Sequence, residues 1–285
     1  MTDINSISQT RMQYVCELRY NRKISVKLKE RLPLKYIESV KNPQVKQWKK
    51  LLTKKERDKT GKYLVEGFHL VEEALKEEIV LEVIINEETE MPAHFKVEGT
   101  ELIYVKNDIM KAICDTEAPQ GIAAVCEQKS TSMASINPNK LLLIDAVQDP
   151  GNIGTMIRTA DAAGIDAVIL GEGCADLYNP KVVRSTQGSL FHMPVIKGNL
   201  SDIIDELKQS GTPVYGTALE GASPFEEVEK SSRFALLVGN EGQGVSKELL
   251  EKTTKNLYIP IYGKSESLNV GIAAGILMYH LRKSI

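Results

Sequence analysis

Three short stretches carry the residues best suited to chemistry: "QDPGNIGTMIR" (residues 148–158), "GNEGQG" (239–244) and "GKSESLNVG" (263–271). Each places glycines and a few polar side chains directly after an apolar run. Glycine lets a backbone turn tightly and approach a ligand closely. In α/β proteins such turns sit at the carboxyl ends of parallel strands, where ligands bind. Asn152 and Arg158 fall on what reads as the opening of a helix after the first turn. The plainest role for Asn152 is a helix N-cap, and for Arg158 a surface salt bridge. Ser267 likewise reads as a cap, Leu268 as core and Glu241 as a loop carboxylate held between glycines. A dinucleotide fingerprint is not present. After one strand, Gly171 and Gly173 begin a GxG, but Asp176 occupies the third glycine's place, and "GNEGQG" has the order GxxGxG.

The elements that must position these turns follow from periodicity. Residues 141–285 alternate near-continuous apolar runs ("LLLIDAV", "DAVIL", "MPVI", "PVYGTAL", "FALLVG", "NLYIPI") with helical patterns such as "IGTMIRTADAA" and "LSDIIDELKQS". That alternation predicts a parallel sheet covered on both faces. Residues 36–128 read as a smaller α/β domain: strands at "KYLVEG", "VLEVIIN", "ELIYVK" and "GIAAVCEQ", with helices at "KNPQVKQWKKLL", "GFHLVEEALKE" and "KNDIMKAICD". Residues 129–140, rich in Ser and Asn, read as a linker, and residues 1–35, without sustained period, as a weakly ordered extension.

The net charge of −2 hides an asymmetry, because the chain is strongly basic from Arg11 to Lys62. Lys46, Lys49, Lys50, Lys54 and Lys55 cluster there, and either neutralise nucleic-acid phosphates with Trp48 stacked on a base, or form a solvated helix face with Trp48 buried under it. Four scattered cysteines and four distant histidines give no metal-ligand spacing, so no metal is expected. No apolar run approaches the roughly 20 residues of a membrane span, and the polar N-terminus lacks a secretory pattern. A cytoplasmic protein is expected.

"DPGNIGTMIRTADAAG", "LLVGNEGQGVSKELL" and "IPIYGKSESLNVGIAAGILMYHL", in this order, closely resemble the three motifs of the SpoU (TrmH-type) RNA ribose methyltransferases of the SPOUT superfamily. The resemblance covers 141–285, and residues 36–128 resemble the small substrate-binding domain, similar to an RNA-binding ribosomal protein, that many members carry. It implies a C-terminal SPOUT domain whose parallel sheet carries a deep trefoil knot, working as a homodimer. It also implies an S-adenosylmethionine (AdoMet)-dependent transfer of methyl to a ribose 2′-hydroxyl, with ribosomal RNA favoured over transfer RNA. By resemblance the catalytic residues are Asn152, Arg158, Glu241, Ser267 and Asn269. Arg158 would clamp substrate phosphate with its planar fork. Leu219, Gly239, Ile259, Ile261, Ser267 and Leu268 would enclose the cofactor. Arg184 in "NPKVVRSTQG" would reach RNA, while His192 reads as a core or edge histidine. The alternative is an RNA-binding protein with an inactive methyltransferase-like domain, against which the intact motif residues argue.

Overall fold

The computed structural model describes residues 35–283. The extension read from residues 1–35 therefore lies outside the described residues, apart from Lys35, which opens the first strand. The strands are β1 Lys35–Ile37, β2 Lys62–Glu66, β3 Val80–Asn86, β4 Glu101–Val105, β5 Ile122–Glu127, β6 Lys140–Ile144, β7 Ala167–Leu170, β8 Val195–Lys197, β9 Val214–Thr217, β10 Ser223–Pro224, β11 Phe234–Val238 and β12 Lys255–Tyr258. The α-helices are α1 Pro43–Lys50, α2 Lys54–Thr60, α3 Phe68–Lys76, α4 Asn107–Ile113, α5 Pro150–Ala162, α6 Pro180–Ser185, α7 Ser189–His192, α8 Leu200–Gln209, α9 Lys247–Lys252 and α10 Val270–Leu281.

Within the described residues the chain divides into two compact units, 35–50 with 66–126 and 51–65 with 127–283. This division differs from the sequence-based boundaries chiefly at 51–65. The smaller sheet has the order β1-β4-β3-β5-β2, with β5 antiparallel to β3. Helix α1 turns Val45 and Trp48 inward and leaves its lysines outside. Trp48 is buried, and its Nε1–H donates to Glu82 at 2.7 Å, so it is a core residue and not a base-stacking platform.

The larger sheet has seven strands in the order β10-β12-β9-β11-β6-β7-β8, and every pairing is parallel. The two-residue β10 adds a seventh strand to the six read from sequence. β11 and the apolar residues of β6 are buried throughout, because helices cover both faces. From β6 the chain steps outward through β7 and β8, then returns to β9 on the other side, and β11 later fills the gap. This reversal is the switch point at which open α/β sheets bind ligands. The carboxyl ends of β6, β11, β9 and β12 lie side by side there.

The last helix packs against α5 and β11. A Cβ on Gly275 would come within 3.3 Å of Thr159 Cγ2, and one on Gly271 within 3.4 Å of Thr155 Cγ2. On the other side of α5, Gly154 faces α6 with less room still. A Cβ there would sit 2.4 Å from Ser185 Cβ and 2.8 Å from the Val182 carbonyl oxygen. Small residues thus let α6, α5 and α10 stack closely under the loops. No helix among the described residues is long and apolar enough to cross a membrane.

Candidate active site

The first turn leaves β6 through Ala146, which is held at φ 52° in the left-handed region where a side chain costs about 1–2 kcal/mol. Asn240 offsets that strain by donating its Nδ2 to the Ala146 carbonyl at 2.9 Å. Helix α5 then begins, and its N-cap is Asp149, whose Oδ1 accepts from the Asn152 N–H at 2.9 Å. The expectation that Asn152 caps this helix is therefore wrong. Pro150 takes the first helical position, where its missing N–H costs nothing, and that places the cap on Asp149. Lys181 completes the corner at 3.1 Å from Asp149 Oδ2. The cap N–H and the ammonium hold the Asp149 carboxyl below the usual carboxylate range.

Freed from capping, the Asn152 side chain joins the three motifs. Its Nδ2 donates to Glu241 Oε1 at 3.0 Å, and its Oδ1 accepts from Asn269 Nδ2 at 2.9 Å. Asn269 in turn is the N-cap of α10, with Oδ1 accepting from the N–H groups of Gly271 and Ile272 at 2.9 and 3.3 Å. Both ends of this chain are unambiguous. A carboxylate only accepts and a backbone N–H only donates, so the orientation of both amides is dictated. Ser267, the other expected cap, is not one. It lies in the exposed loop before Asn269, its carbonyl accepting from Ser265 Oγ at 2.8 Å.

Glu241 is fixed from several sides. It accepts from the backbone N–H groups of Gln148 and Asp149 at 3.3 and 3.2 Å. Partial burial pushes its carboxyl upward and is the largest single influence, but the hydrogen bonds from Asn152 and the backbone together outweigh it. The net shift is downward, and Glu241 is ionised at neutral pH. Its loop folds on itself: Asn240 Oδ1 accepts from Gly242 and Gln243, and Asp145 Oδ2 accepts from the Ser246 N–H. Gly239 at the loop's base admits no side chain, because a Cβ would lie 2.1 Å from the Val245 nitrogen. Asp145, Asp149, Lys181 and Asn240 are thus structural partners of the site beyond the residues named from sequence. The run Asp-Pro-Gly contained the signal for Asp149, as an acidic cap before a first-turn proline.

Apolar residues also stand on the loops that follow β9 and β12. Leu219 follows β9 and is 73 % exposed, and Leu268, in the loop after β12, is 38 % exposed. Ile259 and Ile261 are half-buried at the start of that loop. Leu268 is therefore not core. Apolar side chains on loops that follow adjacent strands are of the type an adenosine pocket uses, apolar walls with backbone donors and acceptors. The residues present fit AdoMet.

The remaining candidates are not members of this hydrogen-bonded chain. Arg158 is exposed, six residues beyond Asn152, which is about 9 Å along the helix and on another face. It takes no part in the Asn152 chain. Arg184, half-buried, sits on α6 beside α5, and His192 is exposed. Lys46, Lys49 and Lys50 are exposed on α1 in the first unit, whereas Lys54 and Lys55 are exposed on α2 in the second.

Comparison with known proteins identifies the family. Residues 139–279 match the SpoU rRNA Methylase family, and residues 42–124 an MRM3-like substrate binding domain. The chain is 56 % identical over 250 residues to the 23S rRNA (guanosine(2553)-2′-O)-methyltransferase RlmP of Bacillus subtilis, covering 87 % of this chain and all of that one. Among solved structures, an AdoMet-bound rRNA methyltransferase from Sinorhizobium meliloti is similar with a TM-score of 0.79 and 33 % identity, over 87 % of this chain and 97 % of that one. The SpoU methyltransferase AviRb from Streptomyces viridochromogenes, in complex with AdoMet, gives 0.75 and 28 % identity over 84 % and 97 %. With its three glycine turns locked together at one sheet edge and these relatives along most of its length, the chain belongs to the SpoU rRNA methylase family.

Proposed function

We propose that this enzyme, an AdoMet-dependent RNA 2′-O-ribose methyltransferase, acts on 23S ribosomal RNA, as the name of its Bacillus subtilis relative indicates for that protein, and does so in the cytoplasm. The observation that carries the reading is the Asn269–Asn152–Glu241 chain, which ties all three motifs into one prearranged corner. When bound, AdoMet supplies a methyl group already activated by its sulfonium. The protein's task is to align a ribose hydroxyl with it and to manage one proton.

Leu219, Ile259, Ile261 and Leu268 wall the adenosine, with the backbone at Gly239 and Ser267 beside them. Asn152 and Asn269, held by Glu241 and the α10 cap, present a fixed polar surface toward the ribose. Arg158 grips substrate phosphate. A guanidinium does not release a proton near neutral pH, so its part is electrostatic.

The homodimer belongs to the same reading. Ile272, Ile276 and Tyr279 are exposed at 54, 38 and 52 %, and their spacing lines them along one stripe of α10. Pairing through α10 covers that stripe, and residues of both protomers then shape each site. The trefoil knot and a ribosomal-protein-like front domain follow from the family and complete the proposal. Light scattering at micromolar concentration gives a dimer, and a pure monomer would remove this part.

Labelled AdoMet and unmodified 23S rRNA test the whole. One methylated ribose is expected, mapped by resistance to alkaline cleavage. Transfer only to transfer RNA would redirect the substrate, and no transfer to any RNA would favour a binding protein.

A further inference from the structure

Helix α2, Lys54–Thr60, has the sequence KKERDKT and not one apolar residue. Helices normally dock by burying an apolar stripe. This one buries Arg57 instead, at 2 % exposure, while Lys54, Lys55, Asp58 and Lys59 face outward. The Arg57 Nε–H and Nη2–H converge on Asp176 Oδ2 at 3.1 and 2.7 Å, and Nη1–H donates to the Leu51 carbonyl at 2.8 Å. The Asp176 side chain is 9 % exposed, and its Oδ1 lies 3.6 Å from Lys197 Nζ at the end of β8. Lys197 also acts on Asp58, which pairs with Lys54. The ion pair, its lysines and the methyltransferase sheet all belong to one compact unit.

A buried ion pair is a weak source of stability, because desolvating both charges offsets most of their attraction. Its distinctive property is direction. With no apolar face to seat it, α2 takes its rotation about its own axis from the converging bonds on Asp176. That rotation decides where Lys54, Lys55 and Lys59 point, and Asp176 draws Lys197 to the same place.

We infer that Arg57 and Asp176 are positioning residues for RNA: they orient α2 and Lys197 as one cationic surface that grips substrate phosphates at a fixed place on the methyltransferase unit. The inference rests on the RNA-methyltransferase reading and assigns part of its substrate grip to a pair 119 residues apart in sequence. RNA engagement depends on the pair, whereas methyl-donor binding does not.

The test replaces the pair by apolar residues of similar size, Arg57→Met with Asp176→Leu, a change that buried ion pairs often tolerate without loss of stability. KM for a 23S rRNA fragment is expected to rise about tenfold, and the slope of log KM against log salt to fall by roughly 0.7–0.9 for each phosphate no longer neutralised. AdoMet affinity by calorimetry and kcat at saturating RNA should stay near wild type. Neutralising Lys55, Lys59 and Lys197 to Gln should raise KM in the wild type and add little in the Met/Leu background, since both changes release the same phosphates. A purely structural role would lower melting temperature and active fraction together and leave the salt slope alone, and that result overturns the inference, as does simple additivity. If the double variant does not fold, Arg57→Lys keeps the buried charge paired but loses the converging fork, and is read by the same measurements. Direct binding of the fragment by fluorescence separates this failure from failure of the enzyme reading, in which wild type itself transfers no methyl.

Discussion

The two halves of the sheet's carboxyl edge are built on opposite principles. Asn152, Glu241 and Asn269 satisfy one another and are anchored by backbone N–H groups from both helix starts. Leu219 and Leu268, on neighbouring loops, stay exposed. The polar half keeps its geometry without any ligand, which is what a group that must meet a developing charge requires. The apolar half gains by being covered, which is what a binding wall requires. Catalysis and cofactor affinity should therefore be separable by mutation.

Leu268→Asp is the most severe break. An unpaired carboxylate against the adenosine opposes burial by several kcal/mol, and calorimetry should detect no AdoMet binding at concentrations that saturate wild type. Because Leu268 is exposed, the melting temperature without ligand should hardly move. Residual binding at near-normal affinity would place the pocket elsewhere.

Arg158→Lys attacks the other function. The charge stays but the planar fork is lost. Removing one well-placed stabilising donor costs about 2.7–4 kcal/mol, a hundredfold to a thousandfold in single-turnover rate. AdoMet affinity should be unchanged. A near-normal rate would make the arginine structural and leave catalysis to the Asn152–Glu241–Asn269 half alone.

Gly154→Ala probes the packing beneath both. The added methyl meets Ser185 Cβ and the immovable Val182 carbonyl, so α5 and α6 must part. Overpacking of this kind costs about 1–3 kcal/mol, seen as a melting temperature lower by roughly 2–4 °C per kcal/mol. Since α5 carries Asn152, activity should fall with stability, without the clean division of the first two variants.

Much of this was legible from sequence because the main signals are local. β6 and β11 are unbroken apolar runs, and glycine turns mark their ends. That Asn152, Glu241 and Asn269 belong to one site was accessible only as a family resemblance, and the hydrogen bonds that join them were not accessible at all, since 89 and 117 residues separate the partners. Local rules misassigned the caps: Asn152 and Ser267 are good cap residues, but Asp149 and Asn269 stand at the true helix boundaries. β10 and α7 are too short to show a period. The anchoring of α2 was invisible for a further reason. A helix without apolar residues gives no burial signal, and Arg57 looks like one more surface cation.

The mildest variant addresses how the polar half is fixed. Glu241→Gln keeps the shape but exchanges an acceptor for a donor, so the N–H groups of Asn152, Asp149 and Gln148 can no longer all be served. The folded-state pKa of Glu241 is lowered from its ordinary 4.5. A lowered carboxylate contributes stability that is present above the unfolded value and is lost as pH falls through the folded one. The wild type should therefore melt above the variant at pH 7, and the gap should close below about pH 4.5, where the unfolded carboxyl already takes up its proton. Glu241 is largely exposed, and exposed ionic interactions contribute well under about 1 kcal/mol, so the gap should be only a few degrees. Its effect on rate should still exceed its effect on stability, because Asn152 and Asn269 lose their enforced orientation. A variant as active as wild type, with the same small melting gap, would show that the amide chain holds the loops together and has no part in aligning the ribose.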